Sequence, residues 1–297
     1  MASRRRRRLV ALLAVTALLA ACGDGSGGQP ATALSPSTST PPTTTATTTI
    51  TSLPSTTVPF LPGELADIGA EVRVPQGGGR FPAAVLVHGG SWVGGSPTMM
   101  SDLAEHLTAE GFLTVNARYH LAASRSPGFP TALDDIACAV RYAAAHPRSD
   151  GTVAVVGYSA GAHIGAVVAL TGDRYGAQCP IPGDGRPQRF VGIAGPYDVS
   201  RLGIAAVPFF GGGPEAAAAA WEAGDPGLLT DENPTLVSLL LHGENDGIVD
   251  LAHALDFQTA LTESGSEVLV EMVEGAKHTD MFDPALVGDL IVTWLER

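Results

Sequence analysis

The chain has 297 residues, 45% of them hydrophobic, and a formal net charge of −13 from 17 Lys and Arg against 30 Asp and Glu. That acidity argues against nucleic acid and other polyanions as partners. There is no Cys-x-x-Cys pair and no His-Glu-x-x-His, and the sole lysine, Lys277, is followed by histidine, which excludes a Lys-Ser/Thr phosphate loop. Neither a metal nor another cofactor is indicated.

The N-terminus reads as an export signal. Arg4 to Arg8 form a basic stretch, and Leu9 to Ala21 is an apolar run of about 13 residues. That is too short for a hydrocarbon core of roughly 30 Å and has the form of a signal h-region. It ends in Leu19-Ala20-Ala21-Cys22, small residues before a cysteine, as in a bacterial lipobox where the cysteine is diacylated. The expected organisation is a signal peptide over 1–21 and lipid on Cys22. An ordinary secretory cleavage near Ala21, with Cys22 incidental, is the alternative. Loss of the leader removes five arginines and no acids, taking the charge to −18.

Residues 22–62 are rich in Thr, Ser, Pro, Ala and Gly. Such a stretch has too few large apolar residues for a core and is expected to be a disordered linker. About 40 flexible residues reach roughly 35 Å, enough to tether a domain to a membrane. The remaining 63–297 suits one α/β domain.

Within it, apolar runs alternate with helical patterns. Strands are expected at 71–74, 83–87, 112–116, 153–156, 190–194, 236–241 and 268–273. Helices are expected at 131–146 and 160–170. This alternation predicts a mostly parallel sheet with helices on both faces. The stretch 199–233 exceeds most loops and carries Phe209-Phe210 and a predicted helix over 214–223 with Trp221. It is read as a short cap insertion whose aromatics crowd the pocket. Cys138 and Cys179 can pair in an exported domain, though spacing alone leaves the pairing open.

Three strand ends carry chemistry. The run ending at Val156 breaks into Gly157-Tyr158-Ser159-Ala160-Gly161 and then into a helix. That is the pattern of a nucleophile elbow, with Ser159 exposed above the sheet. The loop after 236–241 carries Asp246, with Glu244 as the next candidate acid, and the loop after 268–273 carries His278. All lie at the carboxyl edge, where open α/β sheets bind ligands. A serine hydroxyl needs a base to become a nucleophile. His278 can take its proton, and Asp246 can fix the imidazole tautomer. After 83–87 comes His88-Gly89-Gly90-Ser91-Trp92. Its Gly90 and Ser91 N–H groups, with that of Ala160, are the expected oxyanion donors, supported by His88, Gly89 and Trp92.

These motifs resemble the α/β-hydrolase fold esterase/lipase family with a His-Gly-Gly-x-Trp loop, close to small carboxylesterases and formamidase-like enzymes. The resemblance spans roughly 65–297. It includes Phe129-Pro130 to Asp134-Asp135, Gly195-Pro196-Tyr197-Asp198 and Asp225-Pro226. Ser91 departs from it, standing where lipase-type members often have a third glycine. The resemblance implies a metal-free serine hydrolase.

The remaining histidines read as structural. His163 is expected to pack on the nucleophile helix, and His88 and His242 to orient loops. His106, His146 and His253 are expected at solvated helix positions, and His120 could border the pocket. The function expected is cleavage of short-chain carboxylic esters, with a small-molecule ester as partner and the membrane touched only through the lipid. The alternatives are an amidase or formamidase acting on small amides, and a non-catalytic binding domain on the same fold.

Overall fold

A computed structural model of the chain describes residues 55–59, 69–123 and 126–297. All belong to one unit, Thr47–Arg297. Strands β1 (Thr56–Pro59), β2 (Gly69–Arg73) and β3 (Phe81–Val87) lead to helix α1 (Ser101–Ala109), β4 (Leu113–Ala117) and α2 (Thr131–Ala145). Then come β5 (Ser149–Tyr158), α3 (Ala160–Thr171) and β6 (Arg189–Ile193). The cap holds two short helices, α4 (Val207–Phe210) and α5 (Ala218–Ala223). The chain closes with β7 (Val237–Gly243), α6 (Ala252–Ser264), β8 (Glu267–Val273) and α7 (Pro284–Leu295).

The eight strands form one sheet in the order β1-β2-β4-β3-β5-β6-β7-β8. β1–β2 and β2–β4 pair antiparallel, and every other pair is parallel. This is the α/β-hydrolase fold. Both faces of a parallel sheet must be covered, so its strands read as continuous apolar runs. In β3, Val85 and Val87 pack on the side of α2, α3 and α6, while Ala84 and Leu86 pack on the side of α1 and α7. All of α3 is buried, which is why its sequence is apolar all round.

The expected strands agree with the observed ones to within two residues at each end, except that β5 begins four residues before the expected 153. β1 was not expected. It lies inside the stretch assigned to linker, so the sheet begins before residue 63. An edge strand is held by main-chain hydrogen bonds and needs no core of its own, and edge position tolerates Pro59. The cap helix is also shorter than the expected 214–223, starting only at Ala218.

Cys138 and Cys179 are joined as a disulfide, tying α2 to the loop after α3. The buried Arg141 side chain holds that loop further, donating to the carbonyls of Tyr175, Gly176 and Gly183. Among the described residues no helix is long and apolar enough to cross a membrane. The leader and Cys22 lie outside the described residues.

Candidate active site

Ser159 sits between the end of β5 and the start of α3, at φ 51° and ψ −119°. A non-glycine residue held there costs on the order of 1–3 kcal/mol and persists only where its surroundings impose it. Here the Ser159 N–H donates to the Ile193 carbonyl at 2.8 Å, and its carbonyl accepts from the Ala162 and His163 N–H groups. The flanking glycines are required by close approach. A Cβ on Gly157 would lie 2.4 Å from the Gly161 oxygen, and one on Gly161 would lie 2.1 Å from the Val87 oxygen.

The turn brings Ser159 to the two residues expected as its partners. His278 Nε2 lies 3.0 Å from Ser159 Oγ, and His278 Nδ1 lies 2.8 Å from Asp246 Oδ2. With Asp246 ionised, Nδ1–H donates to it and Nε2 is left to accept the serine proton. The other Asp246 oxygen accepts the Ile248 and Val249 N–H groups, each at 2.9 Å. Burial pushes the Asp246 carboxyl up, but the Val249 N–H, His278 and the Ile248 N–H together hold it below the ordinary carboxylate value. Glu244 is turned away and accepts the Gly275 N–H instead.

Two further side chains shape this line, Tyr158, which the sequence reading passed over, and His242, which it expected to orient a loop. Tyr158, the variable residue of the elbow motif, donates its hydroxyl to the His278 carbonyl at 2.9 Å. Burial pushes the phenol strongly upward, so it stays protonated and remains a donor. His242 Nε2 pairs with the Val249 carbonyl at 2.9 Å and so shapes the loop that offers N–H groups to Asp246. Tyr158 carried no signal of its own inside Gly-x-Ser-x-Gly, because any residue satisfies that position.

The loop after β3 lies against the elbow. A Cβ on Gly89 would come within 3.1 Å of the Ser159 Cβ. Val93 and Gly94 N–H groups close a turn onto the Gly90 carbonyl, and Ser91 and Trp92 both take left-handed φ, 52° and 63°. Buried His88 bonds the Gly89 carbonyl through Nδ1 at 2.7 Å, and the Tyr119 hydroxyl holds the His88 carbonyl at 3.1 Å. Burial lowers the His88 pKa, so the ring is a neutral donor to this loop. Ser91 is exposed, and Trp92 turns inward with its indole against His163. Ala160 opens α3, where the first N–H groups lack intrahelical acceptors.

Other assignments change. Phe209, Phe210 and Trp221 are buried, packed on one another and on Trp92. The sequence reading had them crowding the pocket, but their large apolar faces are satisfied against one another and against Trp92 of the loop after β3. His253 was expected in solvent. It is 3% exposed and accepts the Asp198 N–H, because α6 turns that face onto the loop after β6. His120 pairs with the buried Asp135. Asp280 accepts the Lys277 N–H and Asp283 the Ala285 N–H, so both brace the His278 loop and the start of α7.

The family model described as BD-FAE matches residues 71–261. Esterase LipC of Mycobacterium tuberculosis is 30% identical over 144 residues, covering 46% of this chain and 35% of that protein. The chain thus matches about a third of the length of this curated relative. Among solved structures, a truncated carbohydrate esterase from gut microbiota superposes with a TM-score of 0.68 at 18% identity, covering 84% of this chain and 97% of that one. Propionate-bound esterase Est2 of Thermogutta terrifontis gives 0.64 at 17% identity, covering 82% and 92%. An acetyl ester-xyloside bifunctional hydrolase from Caldicellulosiruptor lactoaceticus gives 0.64 at 16% identity, covering 82% and 96%.

Proposed function

The chain belongs to the BD-FAE family, and from that premise we propose that it is a serine hydrolase of short-chain carboxylic esters. The observation that carries the reading is the continuous line from Ser159 Oγ through both His278 nitrogens to Asp246, set on a strained elbow. The esterase names of its relatives agree with it.

In the mechanism, Ser159 Oγ attacks the ester carbonyl as His278 Nε2 takes its proton. Asp246 stabilises the imidazolium that results. Negative charge collects on the former carbonyl oxygen, which the N–H groups of Gly90, Ser91 and Ala160 receive. One such donor is worth roughly 3 kcal/mol of barrier. The imidazolium then gives its proton to the departing alkoxide, leaving an acyl-Ser159. Water, deprotonated by the same His278, hydrolyses that ester and releases the acid.

The acyl group is short. The cap aromatics Phe209, Phe210 and Trp221 spend their faces on one another and on Trp92 and so offer no apolar wall to a long chain, and Ser91 adds a side chain to the loop after β3. A long chain helps only where it finds surface, at roughly 0.8 kcal/mol per buried methylene. Propionate in the Est2 site supports the same scale. We place the enzyme outside the cytoplasm, with residues 1–21 removed, lipid on Cys22 and a linker running to the sheet edge at Thr56. Intact-mass measurement of the native mature N-terminus tests this, because an unlipidated Cys22 would leave simple secretion.

Kinetics on an acyl series test the function. Acetyl to butyryl esters are expected to give higher kcat/KM than decanoyl esters, and Ser159→Ala to abolish turnover of all of them while the fold survives. Wild-type turnover by the alanine variant would end the reading. A steady rise in kcat/KM to twelve carbons would end its short-chain part.

A further inference from the structure

His163 is wholly buried, with 0% exposure, yet both its ring nitrogens have partners. The Trp92 indole N–H meets Nδ1 at 3.2 Å, and Nε2 meets the Gly224 carbonyl at 2.7 Å. An indole nitrogen can only donate and a carbonyl can only accept. The tautomer is therefore fixed, with Nδ1 bare and Nε2 carrying the proton. A second proton would set Nδ1–H against the indole N–H. Burial lowers the ring to a pKa of about 4 and keeps it neutral.

The contacts of this ring join three parts of the site. Its own backbone N–H donates to the Ser159 carbonyl. Trp92 belongs to the oxyanion loop, and Gly224 closes the cap helix α5. Phe209 stands at 5.5 Å from both the Trp92 and His163 rings and walls the pair from water. Ser91 and Trp92, meanwhile, occupy left-handed backbone that side chains disfavour. Such strain survives only where other contacts hold it. The Trp92 side chain supplies one hold and its carbonyl, bonded to the Ala122 N–H at 2.8 Å, supplies another.

We propose that His163 is a positioning residue for the oxyanion loop. It anchors Trp92, and through Trp92 the left-handed turn that presents the Gly90 and Ser91 N–H groups, and it ties that turn to the cap at Gly224. The inference rests on the serine-hydrolase reading and extends it to a residue outside the triad.

Three variants separate the two arms of the ring. Trp92→Phe keeps an aromatic face and loses the N–H. In His163→Gln the amide falls near the Nε2 position and keeps the Gly224 arm. In His163→Asn it falls near Nδ1 and keeps the Trp92 arm. Each is measured below its own Tm for kcat and KM on a butyryl ester and for affinity toward a trifluoromethyl ketone, which forms a tetrahedral adduct with the nucleophile.

Trp92→Phe and His163→Gln are expected to lose about 10- to 100-fold in kcat, part of what an oxyanion donor is worth, with KM within about twofold. Ketone affinity should fall by the same factor, and the double variant should lose no more than either single one. His163→Asn should lose markedly less. A merely structural role would lower Tm in all three without splitting kcat from KM. Wild-type kcat in Trp92→Phe, or equal losses in the two His163 variants, would overturn the proposal. If wild-type protein turns over no ester, the functional reading falls instead. Hydrogen exchange at the Trp92 indole then decides the anchor: protection in wild type that is lost in His163→Gln supports it, and equal exchange refutes it.

Discussion

Asp246, in the loop after β7, and Asp225, in the cap, both leave bulk water, yet their carboxyl groups move in opposite directions. At Asp246 burial works upward but is overcome by the Val249 N–H, His278 and the Ile248 N–H, and the group stays below its ordinary value. At Asp225 burial dominates. The Gly227 and Leu228 N–H groups only partly offset it, the neighbouring Asp198 charge adds to it, and the carboxyl rises to about 6. Burial alone therefore does not set the charge of an aspartate here. Where chemistry is proposed, both oxygens have donors and the charge is held. In the cap the compensation is incomplete and the charge depends on pH.

The sharpest way to break this contrast is to neutralise each acid in turn. Asp246→Asn is expected to cost on the order of 10⁴ in kcat, because the imidazole loses the partner that fixes its tautomer. Asp225→Asn should leave kcat within about twofold, since Asp225 caps a loop and touches none of the triad. Comparable losses on a butyryl ester would erase the distinction.

The disulfide calibrates what a cross-link that bonds neither acid is worth. Its 41-residue separation corresponds to about 4 kcal/mol in the chain-entropy account. Replacing Cys138 and Cys179 with Ser should lower Tm by roughly 8–16 °C and leave kcat unchanged at temperatures where the fold persists. A kcat loss without a Tm loss would mean that the α2 tether acts on the site.

Tyr158→Phe tests the histidine end of the same line. It strips the hydrogen bond from the buried His278 carbonyl, and such a loss costs about 1–3 kcal/mol. Roughly tenfold lower kcat is expected, with intact labelling of Ser159. Wild-type kcat would show that Asp246 suffices to hold the ring.

The smallest effect is a pH slope in stability. Asp246, with its folded pKa depressed, contributes stability above its unfolded value, and that contribution is lost as pH falls through the folded one. Asp225 works the other way. Its folded carboxyl is raised from 3.8 to about 6, so the fold binds a proton that the unfolded chain has released. Stability then falls as pH rises across that window, and the penalty is complete above it. Asp225→Asn should raise Tm at pH 7.5 by about 2–4 °C and leave it unchanged at pH 4. An equal shift at both values would show that charge is not the cause.

The strand ends were legible because parallel strands buried on both faces write themselves as apolar runs, and the residue after each run falls on the functional edge. Ser159, Asp246 and His278 could each be placed this way. The tight loop after β3 was legible from its glycines, Gly89 packing against the elbow and Gly90 holding φ 121° in the loop's own turn. What the pattern could not carry were partners fixed only by three-dimensional approach. Tyr158 reaches a carbonyl 120 residues away, His163 meets an indole 71 residues away, and Cys138 bonds a cysteine 41 residues away. β1 was hidden for another reason: an edge strand needs main-chain hydrogen bonds more than a composition, and its Thr-rich sequence matches its neighbours. The cap aromatics were seen but misplaced, since a run such as Phe209-Phe210 says it must be buried without saying against what.

The central claim is that Ser159, activated through His278 by Asp246, is the nucleophile. Mass spectrometry of the mature protein after reaction with a fluorophosphonate tests it directly. The account predicts one adduct per chain, mapped to Ser159, formed in step with loss of butyryl ester turnover and absent from Ser159→Ala. Labelling at another residue, or full esterase activity in protein carrying the adduct on Ser159, would contradict it.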